Sequence, residues 1–325
     1  MLKFKVLAVK GCIMIKNKQL LSIFRKINIK NFAIYVALIL ISYQFMYPLL
    51  RMIMTSLMSP DDIINPTVNW LPKSWSFGNL RTALAVLDLK TTLVNSFLFS
   101  GALALCQTIV SALTGFAFAR YKFKFKNFWF MMVILTFILP TPIMLIPRTM
   151  MAVSVRETLG IQMIGTPIPQ ILMAVTGQGI YSAILILIFY HFFRLIPRAL
   201  DEAASIDGAS PVQTFYHIIL KLSFSTILIV FLFSFVWNWN ETYITSTFIR
   251  GHIQLLPSRL AMFDSMFSQY ASASAGSSMN LERQRINEAY KMSATLISIL
   301  PLFIIYLFVQ RKLIKGIESA GITGE

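Results

Sequence analysis

Six stretches of this chain contain no Asp, Glu, Lys or Arg: residues 31–50, 91–119, 127–147, 158–193, 222–240 and 292–310. No other feature limits the possible folds as strongly. A helix needs about 20 mostly apolar residues to cross a hydrocarbon core, and all six stretches are long enough. Within lipid every backbone N–H and C=O must be satisfied by the chain itself, which leaves helices or a closed barrel. None of the stretches shows the alternating segments of about 10 residues that a barrel requires. Composition agrees, with 56% hydrophobic and only 13% charged residues, against about 25% charged in a soluble domain. A disordered chain, a coiled coil and an ordinary soluble enzyme are excluded. The expected fold is an all-α integral membrane protein with six transmembrane helices. A seventh uncharged run, 265–281, is rich in Ser, Ala, Gly and Gln and reads as a loop.

An even number of spans puts both termini on one side, and the basic residues say which. The arm 1–30, the loop 120–126, the loop 194–221 and the tail 311–325 together hold 18 basic and 5 acidic residues. The opposite side holds 11 basic and 8 acidic residues. Basic loops stay in the cytoplasm, so both termini are expected there, with Asp61 and Ser274 outside. The net charge of +16 is thereby mostly an orientation signal, and no nucleic-acid partner is needed to explain it. The domain reading is a basic cytoplasmic arm over 1–30, a six-span transmembrane domain over 31–310 and a cytoplasmic tail over 311–325. The loop 194–221 is the longest on the cytoplasmic side, and an extended external loop covers about 248–288. Residues 1–16 carry an apolar run that Lys10 interrupts, which does not fit a cleavable signal; Met14 is a second candidate start.

Several chemistries are missing. Cys12 and Cys106 fall in different compartments, and His191, His217 and His252 lie in separate segments, so neither a disulfide nor a metal site is expected. A phosphate-cradling loop needs Gly-x-x-x-x-Gly-Lys-Ser/Thr. No Gly here precedes Lys, and no Gly-Gly pair exists. This chain is expected to be no enzyme and to bind no cofactor of its own.

The segment 196–211 differs from its surroundings. Pro197 suits a first helical turn, and Asp201 and Glu202 follow near the positive helix N-terminus. Arg198 and Glu202 stand four apart, a spacing at which they could pair. Gly208 can take the left-handed conformation that ends a helix. Ser210, Pro211 and Gln213 then form a capping box for the next helix. By itself this is a tidy connector; as a functional element it is a knob for a cytoplasmic partner, with Ala203, Ala204 and Ala209 small enough for close approach.

Glu202-Ala203-Ala204, then Gly208 after three residues, Ile218 after nine more, and Leu220 match the cytoplasmic signature of ABC importer permeases. Asp207, Ala209 and Phe215 match its fuller sugar-importer form. Residues from about 71 to 321 resemble the second permease subunit of carbohydrate importers, the maltose-importer type. Supporting stretches are Asn95-Ser96, Phe116-Ala117-Phe118-Ala119-Arg120, Ile196-Pro197, Trp237-Asn238, Leu256-Pro257, and Gln310-Arg311 with Gly316. The resemblance implies a multi-pass protein of the prokaryotic inner membrane that couples to an ATPase through Glu202, Ala203, Ala204, Asp207, Gly208, Ala209 and Phe215. It also implies a heterodimer with a homologous permease, two ATPase subunits that bind ATP-Mg, and an extracytoplasmic solute-binding protein. The family usually carries Pro at positions 221 and 225, where this chain has Lys221 and Ser225, so a less kinked start of the fifth span is expected.

Amides are scattered through the spans at Asn95, Gln107, Gln170, Gln178, Asn238 and Asn240. Buried amides cost energy unless they find partners or face water. They either bond helix to helix or line a polar path. Trp237, Asn238, Asn240 and Glu241 are the candidates for such a path, since aromatic faces and amides suit sugar rings. Pro140-Thr141-Pro142 should break the third span. Two other classes compete. An ion-coupled secondary transporter needs intramembrane carboxylates and internal repeats; Glu241 sits only at a span edge, and no repeat stands out. A membrane-embedded enzyme needs a reactive cluster within the spans, and the sequence offers none.

Overall fold

The computed structural model describes residues 29–274 and 281–321. The expected arm 1–30 lies almost wholly outside them. The described residues form helices joined by turns and a few longer loops, the longest between Ile64 and Gly78, with one isolated antiparallel bridge between Met58 and Trp75. In chain order the helices are α1 (Ile29–Ser56), α2 (Pro60–Ile64), α3 (Gly78–Leu87), α4 (Leu89–Arg120) and α5 (Lys126–Ile138). They continue with α6 (Thr141–Leu159), α7 (Ile168–Val175), α8 (Ser182–Leu195), α9 (Ala199–Ile206) and α10 (Pro211–Leu222). The last are α11 (Phe224–Asn240), α12 (Tyr243–Phe248), α13 (Leu256–Ala261), α14 (Phe263–Ser274) and α15 (Leu281–Gly321).

Three helical stretches are individually long and apolar enough to cross a membrane, namely Asn31–Ser56, Leu89–Arg120 and Glu288–Arg311. Three bent pairs meet the same test jointly: α5–α6 at 105°, α8–α9 at 71° and α10–α11 at 78°. Length and apolarity therefore allow up to six crossings.

The central element is α4. It lacks proline for all of its 32 residues and carries small side chains on its buried face, among them Ser100, Ala104, Ser111, Ala112 and Ala119. Small residues let helix backbones approach closely when no hydrophobic force separates helix from lipid. At Gly115 the approach to α8 is so close that a Cβ would lie 2.7 Å from Phe189 Cβ and 3.0 Å from the Ile186 carbonyl. One apolar core, built on Phe116, Leu185, Phe189, Phe193, Ile219 and Val230, packs beside the C-terminal half of α4. A second, built on Leu87, Phe235, Trp239, Leu256, Phe263 and Phe267, packs nearer its start.

The third span breaks at Pro140-Thr141-Pro142 as expected: Pro140 is extended (φ −62°, ψ 135°), and its ring disfavours helix at Leu139. Other expectations are corrected. The helix restarts at Thr141 and runs to Leu159, so Arg148 and Arg156 are helical rather than in an external loop. Residues 158–193 divide into α7 and α8, with left-handed backbone at Gly177 and Tyr181 between them. At 14 residues, α8 is about 21 Å long, short of a full crossing.

The start of the fifth span bends by 78° although neither family proline is present, contrary to the expected straightening. The bend falls at Ser223 (φ −90°, ψ 3°), whose hydroxyl donates to the Ile219 carbonyl at 2.5 Å. Serine back-bonding of this kind bends helices, and a π-helical turn over Phe215–Ile219 supplies a further irregularity. Finally, part of the run read as a loop is helical, in α14. Its apolar face starts before the uncharged run, with Phe263 and Phe267 four apart and both buried, the spacing of one helical face.

Candidate functional site

The knob is α9 together with the start of α10. Ala199–Ile206 forms two turns, with Asp201 and Glu202 in the first of them. Its C-terminus closes as a Schellman motif: Ala209 N–H donates to the Ala204 carbonyl at 2.9 Å and Gly208 N–H to the Ser205 carbonyl at 3.1 Å. Gly208 adopts φ +82°, the left-handed value expected of it. The capping box forms as the spacing implies, with Gln213 N–H donating to Ser210 Oγ at 3.3 Å and Ser210 N–H to Gln213 Oε1 at 2.8 Å.

The site residues expected from the sequence divide into two groups. Glu202, Ala203, Asp207 and Gly208 are exposed and Ala209 is half-buried. Ala204 is buried at the base of α9. Phe215 packs inward, its ring 4.5 Å from that of Phe116. Around the exposed group lie apolar side chains: Ile206 is 86% exposed, Val212 76% and Tyr216 66%. These apolar side chains form an uncovered surface edged by Glu202 and Asp207.

Arg198 and Glu202 form no ion pair. Asp201 instead pairs with Arg120 at the end of α4, with Nη1 3.2 Å from Oδ2. Arg120 Nη2 also donates to the Ile196 carbonyl at 2.9 Å. Sequence reasoning missed this contact because 81 positions separate the partners.

The amides of the spans mostly bond helix to helix. Gln107 Oε1 accepts from Asn238 Nδ2 at 2.8 Å and from the Ser234 hydroxyl. Gln107 Nε2 donates to the Ile180 carbonyl and to Ser182 Oγ, each at 3.3 Å. One residue thus ties α4 to α8 and α11. Gln170 Nε2 donates to Thr245 Oγ1 at 3.1 Å. Of the expected path residues, Asn238 is buried in this network. Asn240 is exposed and bonds the Val236 carbonyl of its own helix. Trp237 stacks on Phe233 and meets Tyr181 edge-on at 4.9 Å. Glu241 Oε1 accepts from the Ile244 N–H at 2.6 Å, so a residue just ahead of the Thr242 N-cap satisfies one of the first-turn donors of α12.

Glu241 also lines a cavity of about 230 Å³ at the Pro140 break. Arg148 lines it too, donating through Nη2 to the Gln178 carbonyl and to Gln178 Oε1, each at 3.2 Å. Between them Tyr181 and Ser182 contribute the start of α8. Arg148 went unnoticed in the sequence because the charge census counted it as a loop residue. Among the described residues no group of His, Cys, Asp or Glu could hold a metal ion.

The described residues thus form an all-helical body with apolar helices and a knob closed by its own caps. Comparison with known proteins places it. Residues 108–319 match the family of binding-protein-dependent transport system inner membrane components, and the chain belongs to that family. It is thus an inner-membrane, multi-pass permease subunit of an ABC importer. It is 27% identical to the sn-glycerol-3-phosphate transport system permease protein UgpE of Pectobacterium atrosepticum, over 94% of this chain and 99% of that protein. It is 26% identical to the probable starch degradation products transport system permease protein AmyC of Thermoanaerobacterium thermosulfurigenes, over 92% and 99% of the two. Its fold matches a crystal structure of a bacterial ABC transporter involved in the import of the acidic polysaccharide alginate. The TM-score is 0.67 at 17% identity, covering 87% of this chain and 96% of that one.

Proposed function

We propose that this chain forms half of the translocation pathway of an ATP-driven importer for a sugar or oligosaccharide. It pairs with a homologous permease, and the pair receives solute from an extracytoplasmic binding protein. Two ATPase subunits bind ATP-Mg and dock on the α9 knob. The relatives support a hydroxyl-rich solute: one is a permease for sn-glycerol-3-phosphate, a polyol phosphate, and another for starch degradation products, which are oligosaccharides. The observation that carries the coupling role is the knob itself, whose cap is closed by backbone and side-chain bonds while Ile206, Val212 and Tyr216 stay uncovered. The path for solute runs past the Pro140 break, where Arg148, Gln178, Glu241 and Tyr181 put polar groups beside an aromatic ring. Trp237 extends that aromatic surface.

The test is purification of the tagged chain from its native membrane. A stoichiometric ATPase should come with it, and Glu202→Lys should lower both ATPase recovery and sugar uptake by reversing a charge on the docking face. Isolation of the chain with no ATPase, from membranes where it supports uptake, would refute the reading.

A further inference from the structure

We propose that Arg120 is the positioning residue that ties the knob to α4, so that movement of α9 is passed to the second span rather than absorbed in the turns beside it. This rests on the coupling role proposed above. The knob meets its own neighbouring helices at sharp angles: a 71° bend after α8 and, beyond α10, a 78° bend before α11. Neither bend can carry a push along a helix axis. Arg120 bypasses both. Its side chain is 7% exposed, and it holds two points of the knob's base at once, Asp201 in the first turn of α9 and the Ile196 carbonyl just before it.

The contact is also breakable in a defined way. Only one nitrogen meets one carboxylate oxygen; Arg120 Nε and Asp201 Oδ1 are buried without partners. A charge buried beside its partner is poorly tolerated once that partner is removed, so loss of either side chain removes the charged tie between α9 and α4 while the Phe215–Phe116 ring contact remains. Arg120 is the last residue of a 32-residue helix that packs on α8 and α11. Displacement of α9 by a docked ATPase therefore reaches the end of α4, the helix that carries Gln107, through the Arg120 guanidinium. Arg120 touches neither solute nor nucleotide, so its effect is on coupling.

The experiment uses the assembled importer, with its ATPase and binding protein, in proteoliposomes. Uptake and ATP hydrolysis are measured on the same samples. Arg120→Gln and the isosteric Asp201→Asn should each keep ATPase recovery within about twofold of wild type, because the pair lies at the base of the knob and not on its uncovered face, while solute moved per ATP falls about tenfold. The charge exchange Arg120→Asp with Asp201→Arg should recover part of that loss, which assigns the loss to the pair rather than to either side chain alone. Unchanged solute per ATP in Asp201→Asn overturns the proposal. So does parallel loss of ATPase recovery and uptake in both single variants, since that is a docking defect. Glu202→Lys in the same assay separates the two readings. If it disturbs ATPase recovery while Asp201→Asn leaves coupling intact, the docking role stands and the tie through Arg120 fails. If Glu202→Lys changes nothing, the docking role itself has failed.

Discussion

Replacement of Gly208 tests whether the knob functions as a shaped docking element or merely connects two helices. Gly208 holds φ +82°, and no atom lies within 4 Å of where its Cβ would be. Within this chain a side chain there meets no steric obstacle, so the cost is conformational. Left-handed backbone costs a non-glycine residue about 1–2 kcal/mol. That corresponds to a factor of roughly 5–30 in the population of the closed Schellman turn. A β-branched residue suffers most in this region, whereas Asn visits it readily. ATPase recovery and sugar uptake, normalised to membrane expression, should therefore rank Gly208→Asn nearest wild type, then Gly208→Ala, with Gly208→Val lowest. A partner that rejected any added bulk would instead penalise Asn and Val alike, since the two are of comparable size. All three variants should insert normally, because Gly208 lies outside the apolar helices. Wild-type uptake and ATPase recovery in Gly208→Val would show the turn to be a connector only.

Gln107→Leu should destabilise the purified protein by about 1–3 kcal/mol, because Ser234, Asn238 and Ser182 each lose a buried partner; thermal unfolding in detergent measures this, and an unchanged midpoint contradicts it. Asp62 accepts from the Ser74 N–H at 2.9 Å, a bond that holds its carboxyl below the usual 3.8. With a folded value lower than the unfolded one, its stabilising effect is complete above 3.8 and fades as pH falls below it. Acid unfolding monitored in wild type and Asp62→Asn should thus converge at low pH and diverge above pH 4 or so, and parallel curves would exclude the effect. Topology is tested with single-cysteine variants and an impermeant thiol reagent: a Cys at Asp61 should label from outside intact cells, and one at Glu325 should not.

How much of this was legible in the sequence depended on how local each determinant is. The first and second spans followed from uncharged runs because α1 and α4 are single continuous helices over nearly the same residues. The knob's caps were equally readable, since Ser210, Gln213 and Gly208 act within a few positions of their own backbone. Breaks in the other spans were less so. Pro140 announced itself by its ring, but Ser223 looks like any polar residue in an apolar run; its bend depends on a bond to Ile219 that the alternatives of an exposed or straight helix would not need. The uncharged run after Ser265 misled for a related reason: the aromatic residue that starts its buried face, Phe263, precedes the run. Arg148 shows the limit of charge counting. A basic residue can sit on a helix beside a polar cavity, and only the fold tells it from one in a loop.

The stretches that carry the family resemblance meet one another in pairs, and this says why those residue types belong where they are. Ser96 Oγ accepts from the Leu256 N–H at 2.7 Å, and Asn95 Nδ2 donates to the Gln254 carbonyl at 3.2 Å. Asn95-Ser96 thereby fastens the start of α4 to the approach to Leu256-Pro257. At the other end of α4, Arg120 fastens Ile196-Pro197 and Asp201. Between the two, Gln107 fastens Asn238 of the Trp237-Asn238 pair. Each is a polar bond from α4 to a segment that begins, ends or interrupts an apolar helix, where backbone groups lack helical partners. Apolar side chains could fill the same space but could not fix the rotation of α4 about its axis, because lipid competes equally for apolar surface. Three polar fastenings along one helix fix that rotation at three heights. With its rotation set, α4 keeps Gly115 facing α8, where only a residue without a side chain fits, and keeps Arg120 aimed at the knob. The ends of the helix are therefore not independent. A change at Gln107 that let α4 rotate should weaken the Arg120–Asp201 pair some four turns away, and double-mutant cycles between Gln107→Leu and Asp201→Asn should show non-additive loss of uptake. Strict additivity would mean that each fastening acts alone.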